Sequence, residues 1–478
     1  MKLYPNTSLY RETIHTLDLI LGLIKPLKSS AALRMLEEGL INLSSETAIA
    51  LDQADNEQMY AKLRQLSPLI AKLVQLSNLA FHLKEIDQPT NHKIETALQL
   101  LDRKVHTFPQ KRRNILILSS IMGQGHMSAS KAMKQGIEFL YGKDYNVSII
   151  DFYEHVDSFF NNTFVKAYEG STKHLPKAYQ YFFESTDAKW PVKFLNIITY
   201  PLNAVKIEKL FKSYNPHVII SAFPVWDYLA SMIMKKCGNI KFLSVVTDSI
   251  SIHNAWVTGN PDYHIVANTE TAISVKKLGV KEEKIKTLGF PVKLEFSSPT
   301  NRTEFLKDLN LNPEHFTVVL QPATEKTSAT VKMIQEITSH FKDLNLIVIC
   351  GRNQELLPKL EKYDHTANTR IIGWTDQMPE FLKNSDLVIT KAGGATVMEC
   401  IAAQKPMIIT QVIPGQEMGN AELIRLHNLG IDQKSAKMTI SECIEYIRKN
   451  QAHFQKNLAN LSRPHASLDI AKFIHEQL

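Results

Sequence analysis

The stretch "NILILSSIMGQGHMSASKAMKQGIEFL", Asn114 to Leu140, decides the fold. It opens with an unbroken apolar run, turns through two glycines and a histidine, and continues with apolar residues at helical spacing. A short apolar run followed by an amphipathic helix is the pattern of a parallel strand covered on both faces. The turn places Gly123, Gly125 and His126 at the carboxyl end of that strand, which is where open α/β sheets bind ligands. Taken by themselves, the residues leave three readings of the turn open: a nucleotide loop, a catalytic loop or a tight turn.

Working outward, the pattern recurs. "NVSIIDFY", "HVIISAF", "KFLSVVTD", "YHIVAN", "FTVVLQ", "NLIVICG", "TRIIGW", "DLVITKAGG" and "PMIITQV" are further apolar runs separated by helical stretches. Ten strands are too many for one nucleotide-sized half-sheet. The expectation is α/β architecture, with two doubly wound Rossmann-like domains facing a cleft. "GFPVKLEFSSPTNRTEF", with Pro291 and Pro299, breaks the pattern and separates a domain at 113–290 from one at 300–478. Residues 1–105 differ, with apolar residues at three- and four-residue spacing, and read as an all-helical extension. Ser44, Ser45 and Asn91 read there as caps or turn residues. The extension carries no cluster of chemistry. A role as a plain extension stays open beside homo-oligomer formation, partner docking and membrane contact.

Bulk properties narrow the class. With 478 residues, 44% hydrophobic and 22% charged, the chain is an ordinary globular protein. A formal charge of +7 suits anionic phosphates or lipid headgroups and does not demand nucleic acid. Cys237, Cys350, Cys400 and Cys443 lie far apart among apolar neighbours, without metal or dithiol spacing, and read as reduced core thiols. No signal-peptide core and no apolar stretch of about 18 residues is evident. The expectation is a cytoplasmic protein whose membrane contact is peripheral.

The second chemical stretch is "LVITKAGGATVMECIAAQKPMIITQVIPGQEMGN", Leu387 to Asn420. Gly393 and Gly394 allow a tight turn and a close backbone approach. Ala395 and Thr396 open a helix whose free amides suit phosphate oxygens. Glu399, one turn on, suits ribose hydroxyls, and Gln416, Glu417 and Asn420 suit sugar hydroxyls. No Gly-Lys-Ser/Thr follows, so this is not a P-loop.

These motifs carry a resemblance. "GWTDQMPEFLKNSDLVITKAGGATVMECIAAQKPMIITQVIPGQEMGN" is similar to the donor-binding half of the diacylglycerol glycosyltransferases, meaning the monogalactosyldiacylglycerol synthases and processive diacylglycerol glucosyltransferases. These are family 28-like enzymes related to the muramyl-peptide transferase that forms lipid II. "ILILSSIMGQGHMSAS", "PKAYQYFFESTD", "VVTDSISIHNAWVTGNPDYHIVANTET" and "GFPV" resemble other segments of the family, so the match runs over roughly residues 113 to 430. The resemblance implies a fold of the glycosyltransferase-B type. It implies UDP-galactose or UDP-glucose as donor, diacylglycerol at an anionic lipid surface on the inner face of the membrane as acceptor, and inverting transfer without a metal. The sequence has no Asp-x-Asp pair of the kind that holds manganese in other glycosyltransferases. By resemblance His126 is the catalytic base. Asp248 and His253 stand as second candidates, with Asp248 orienting the base or binding the headgroup. Gly123, Gly125, His253 and Trp256 line the acceptor side. Residues 152–202 hold thirteen of the forty aromatics, interleaved with Lys166, Lys173, Lys177, Lys189 and Lys193, which suits a membrane interface. The basic linker at 103–113 adds contacts worth roughly 1 kcal/mol per charge near an anionic leaflet. One departure stands out: the glycine-rich loop expected after the first donor-domain strand is Gln321–Ser328, with Pro322 and Ala323 and no glycine.

Three other readings compete. "GQGHMS" with Asp151 at the end of the next strand fits a dinucleotide-dependent oxidoreductase, but leaves "AGGAT" and "PGQEMGN" unexplained. The same fold could act on another lipid or on a peptidoglycan precursor. The glycine-free Gln321–Ser328 loop would also suit a non-catalytic descendant that binds lipid or a partner.

Overall fold

The structure, a computed structural model, describes residues 16, 19–23, 31–51, 65–107, 112–120, 124–151, 205–237, 240–322, 327–351, 353, 356–364, 368–415 and 417–478. The chain divides into two compact units, 1–112 and 113–478.

The first unit is helical among its described residues: α1 (Ala31–Leu51), α2 (Ser67–His82) and α3 (Gln88–Thr107). Leu36, Leu40 and Leu43 of α1 meet Ile70 and Leu73 of α2 and Ile94 and Leu98 of α3, all buried at the spacing that predicted the helices. Ser44 and Ser45 lie inside α1 and Asn91 inside α3, so none of them is a turn residue. Asn91 is instead a buried link between helices, accepting from Ser77 at 2.6 Å and donating to Asn78 at 2.8 Å. Asp87 accepts from the Thr90 backbone N–H at 2.9 Å, at the start of α3.

The second unit holds two six-stranded sheets in which every pairing is parallel. The first contains β1 (Arg113–Ser119), β2 (Tyr145–Asp151), β3 (Val218–Ser221), β4 (Lys241–Val245), β5 (Tyr263–Val266) and β6 (Ile285–Thr287), in the order β2-β1-β3-β4-β5-β6. The second contains β7 (Phe316–Leu320), β8 (Leu344–Ile349), β9 (Thr369–Ile372), β10 (Leu387–Lys391), β11 (Met407–Gln411) and β12 (Gly430–Asp432), in the order β12-β11-β10-β7-β8-β9. The strand order reverses between β1 and β3 and between β7 and β10. The loops after those strands flank the crevices where doubly wound sheets bind ligands. The helices that shape the site are α4 (Gln124–Tyr141), α5 (Pro224–Cys237), α6 (Thr269–Lys277), α7 (Gly394–Ala402) and α8 (Met418–Leu426).

The end of the expected domain 300–478 packs against the first sheet. Helix α9 (Ala466–Glu476) buries Ile470, Ala471 and Ile474 in the core of the first sheet, beside Met133 and Ile137 of α4. His475 stacks on Tyr141 and bonds the Tyr145 hydroxyl at 2.6 Å. Gly136 permits this: a Cβ there would stand 2.5 Å from the Ser467 carbonyl oxygen. Cys350, Cys400 and Cys443 are buried free thiols, and burial pushes all three up, Cys350 and Cys443 to about 11. The Cys237 side chain lies outside the described residues.

Candidate active site

Three segments converge between the two sheets. The first is the start of α4. His126 is not in a loop but in the first turn of this helix, and it is buried. Its Nδ1 lies 2.9 Å from the Ala222 carbonyl oxygen, just past β3, and 2.8 Å from the Thr247 hydroxyl, just past β4. A carbonyl can only accept, so Nδ1 carries the proton and Nε2 keeps its lone pair. Phe223 meets the ring edge-on with centroids 5.2 Å apart, and Trp256 packs at 6.3 Å. Burial lowers the imidazole pKa, and the Asp248 charge and the Ala222 carbonyl oppose that shift. The ring is therefore neutral at neutral pH and gains support from Asp248 once it takes a proton.

The second segment, Thr247–Trp256, supplies that carboxylate. Asp248 accepts from the Trp256 indole N–H at 2.7 Å. Trp256 is fully buried and so braces the site from behind instead of lining the cleft surface. His253 caps the short 3₁₀ turn Asn254–Val257, its Nδ1 accepting from the Ala255 backbone N–H at 3.1 Å. That bond removes His253 Nδ1 from base duty.

The third segment is the glycine pair of the other sheet. Gly393 is the N-cap of α7, in an extended conformation with no side chain to cap the helix, and Gly394, Ala395 and Thr396 form its first turn. A Cβ on Gly125 would stand 3.8 Å from the Ala395 amide nitrogen, and one on Gly394 would stand 3.5 Å from the Thr247 carbonyl oxygen. The amino ends of α4 and α7 thus face each other across the cleft. Glu399, on α7, accepts from the Ser128 hydroxyl of α4 at 3.2 Å. Burial between the two helices pushes its carboxyl up to about 7, against the opposing Ser128 bond and Lys293 charge. Helix α8 closes one side, with Gly419 against Ser249, and His427 meets Glu270 of α6 at 2.7 Å.

Two expected sugar contacts, Glu417 and Asn420, make bonds within the protein, Asn420 through its amide nitrogen only. Glu417 is buried, paired with Lys391 through one oxygen, and accepts from the Ile413 backbone N–H at 3.0 Å through the other. Asn420 is buried and donates to the Ala392 carbonyl at 2.9 Å, leaving its Oδ1 without a partner. Gly123 and Gln416 lie outside the described residues, as do the whole aromatic and lysine segment 152–202 and positions 323–326 of the glycine-free loop.

Comparisons with known proteins bear on the family of the chain. The profile described as monogalactosyldiacylglycerol (MGDG) synthase matches residues 126–292, and that of the glycosyltransferase family 28 C-terminal domain matches residues 318–477. The chain is a glycosyltransferase built from these two domains. Monogalactosyldiacylglycerol synthase 3 of Arabidopsis thaliana is 27% identical over 77% of this chain and 82% of its own length. The probable monogalactosyldiacylglycerol synthase 3 of Oryza sativa subsp. japonica is 26% identical over 82% and 79%. Among solved structures, Acinetobacter baumannii MurG covers 76% of this chain and 99% of its own, with 12% identity and a TM-score of 0.48.

Within this glycosyltransferase, sequence reasoning passed over four residues. Lys391 sits at the carboxyl end of β10, with Ala392 between it and the glycine pair. Its signal was a lysine ending an otherwise apolar strand. Thr247 and Ala222 position His126, but Ala222 does so through a backbone oxygen, which no residue type announces. Trp374 is 58% exposed just past β9. Its loop is tied to the interdomain segment by Lys293, which donates to the Asp376 carbonyl at 2.6 Å.

Proposed function

We propose that the chain transfers a hexose, galactose or glucose, from a UDP-sugar to the free hydroxyl of diacylglycerol, with inversion at the anomeric carbon. The observation that carries this is the opposition of His126 to the uncapped amino end of α7. One side offers a neutral imidazole with an available Nε2. The other offers amides and dipole suited to a leaving diphosphate.

In this reading the donor lies on the second sheet. Its diphosphate rests on Gly393, Gly394, Ala395 and Thr396, its ribose reaches Glu399, and its base stacks on Trp374. Asn420, with an unsatisfied Oδ1, and Gln416 remain as sugar contacts, while Glu417 acts through Lys391. The acceptor hydroxyl approaches from the side of His126, which takes its proton at Nε2 as the oxygen attacks. Asp248 then stabilises the imidazolium. The helix end and Lys391 supply the charge that a metal supplies elsewhere, so we propose that transfer needs no metal.

The acceptor is read from the resemblance of residues 126–292 to the synthase profile and from the aromatic and lysine sequence of 152–202. The same features support peripheral attachment on the cytoplasmic side of a membrane. Among the described residues no helix is long and apolar enough to cross one. Oligomer formation or partner docking through residues 1–105 remains a proposal without a chosen partner.

The test offers radiolabelled UDP-galactose or UDP-glucose with diacylglycerol vesicles containing anionic lipid, and measures label in the lipid phase. Transfer from at least one donor is expected. No transfer from either overturns the proposal.

A further inference from the structure

The donor loop holds a charged pair whose arrangement points beyond loop folding. Lys391 follows a register shift of β10 against β11, between Thr390 and Lys391. Its ammonium lies 3.3 Å from where a Cβ on Gly393 would stand, so it hangs over the glycine pair. The side chain is about one-third exposed, whereas that of Glu417 is 5% exposed. Glu417 is fixed from two sides, by Lys391 and by the Ile413 N–H. A buried carboxylate without a partner is costly, so this anchor is firm. The lysine, by contrast, has a long stem that would normally carry its charge out to water. Here it is bent back over the uncapped amino end of α7. An ammonium and the amides of the first turn of α7 therefore point at one place, where Asn420 Nδ2 lies 3.6 Å from a Cβ built on Gly394, and the buried Oδ1 of the same side chain has no partner.

We infer that Lys391 is a leaving-group residue, positioned by Glu417, whose ammonium neutralises the charge that builds on the diphosphate as the sugar departs. This rests on the reading of Gly393–Glu399 as the donor site. In the step concerned, the acceptor oxygen bonds to the anomeric carbon and its proton passes to His126 Nε2. The bond from that carbon to the β-phosphate oxygen breaks, and its electron pair stays on the diphosphate. Lys391 keeps its protons throughout and shares its charge between Glu417 and the phosphate. Glu417 therefore acts through the lysine and not on the sugar.

The test measures UDP and uridine binding by calorimetry on the full chain, for wild type, Lys391→Gln, Lys391→Arg and Glu417→Gln. Lys391→Gln is expected to weaken UDP binding about 10- to 100-fold and to change uridine binding less than about twofold. Lys391→Arg, which keeps the charge, should restore most of the loss. Glu417→Gln should reduce the preference for UDP over uridine while leaving uridine affinity in place. Unchanged UDP binding by Lys391→Gln, or equal losses of UDP and uridine, overturns the assignment of Lys391. A wild-type chain that binds no UDP overturns the donor site itself.

Discussion

Replacing Gly419 by alanine perturbs the cleft at its tightest point. A Cβ at this position would stand 1.8 Å from the Ser249 carbonyl oxygen and 2.7 Å from the Ser251 amide nitrogen. Both obstacles are backbone, so no side chain can swing aside. Restoring ordinary contact needs a retreat of about 1.5 Å by α8 or by the 249–251 segment. Overpacking of this kind costs about 1–3 kcal/mol. The segment that must yield directly follows Asp248, and α8 follows the loop of Glu417. The displacement is thus passed to both halves of the site. A misplacement of about 1 Å can cost up to ~100-fold in rate. We expect Gly419→Ala to lower kcat/KM roughly 10- to 100-fold in the vesicle assay, with a cooperative melting transition retained. Activity within about twofold of wild type would refute the idea that the Gly419–Ser249 contact sets the working arrangement of the cleft.

Other expectations follow from single residues. His126→Ala should lower kcat roughly 10²- to 10⁴-fold and leave UDP binding intact in calorimetry, which separates loss of the base from loss of the donor site. Glu399→Gln should raise the donor KM about tenfold with a smaller change in kcat, because a ribose hydroxyl loses its carboxyl partner. Asp227 is fully buried on α5, accepts from Ser244 at 2.6 Å, leaves its other oxygen unpartnered, and is pushed by burial up to about 8. A raised folded-state pKa means that the folded chain holds this proton while the unfolded chain loses it near pH 4, so stability falls as pH rises from about 4 to 8. Asp227→Asn removes that titration. Its stability relative to wild type should rise with pH over that window, by up to about 1.4 kcal/mol per unit, in denaturant titrations at pH 5, 6, 7 and 8. Parallel curves would count against it.

Much of this was legible because parallel strands buried on both faces leave continuous apolar runs. All ten runs read from the sequence became strands. The two strands missed, β6 and β12, are three-residue edge strands reading "IKT" and "GID", too short and too polar to show a pattern. The return of α9 to the first sheet was not legible either. Its apolar spacing announces a helix but not which sheet it covers, and Gly136 speaks only once Ser467 lies beside it. Within the site, the residues expected near the carboxyl ends of strands, His126, Asp248, Gly393 and Gly394, lie together in the structure. Glu417 was found for the wrong reason, because its burial and its pairing with Lys391 depend on a bulge at the end of β10. His253 looked like a second base because a histidine's commitment to capping a turn depends on backbone angles that the sequence does not display.

The central claim is displacement by a hydroxyl activated on the His126 side while the diphosphate leaves on the α7 side. The anomeric configuration of the product tests it most directly. Glycolipid made from a UDP-α-hexose and diacylglycerol would be isolated and its anomeric proton read by nuclear magnetic resonance. The account predicts a β-linked sugar. An α-linked sugar would contradict a single displacement across this cleft.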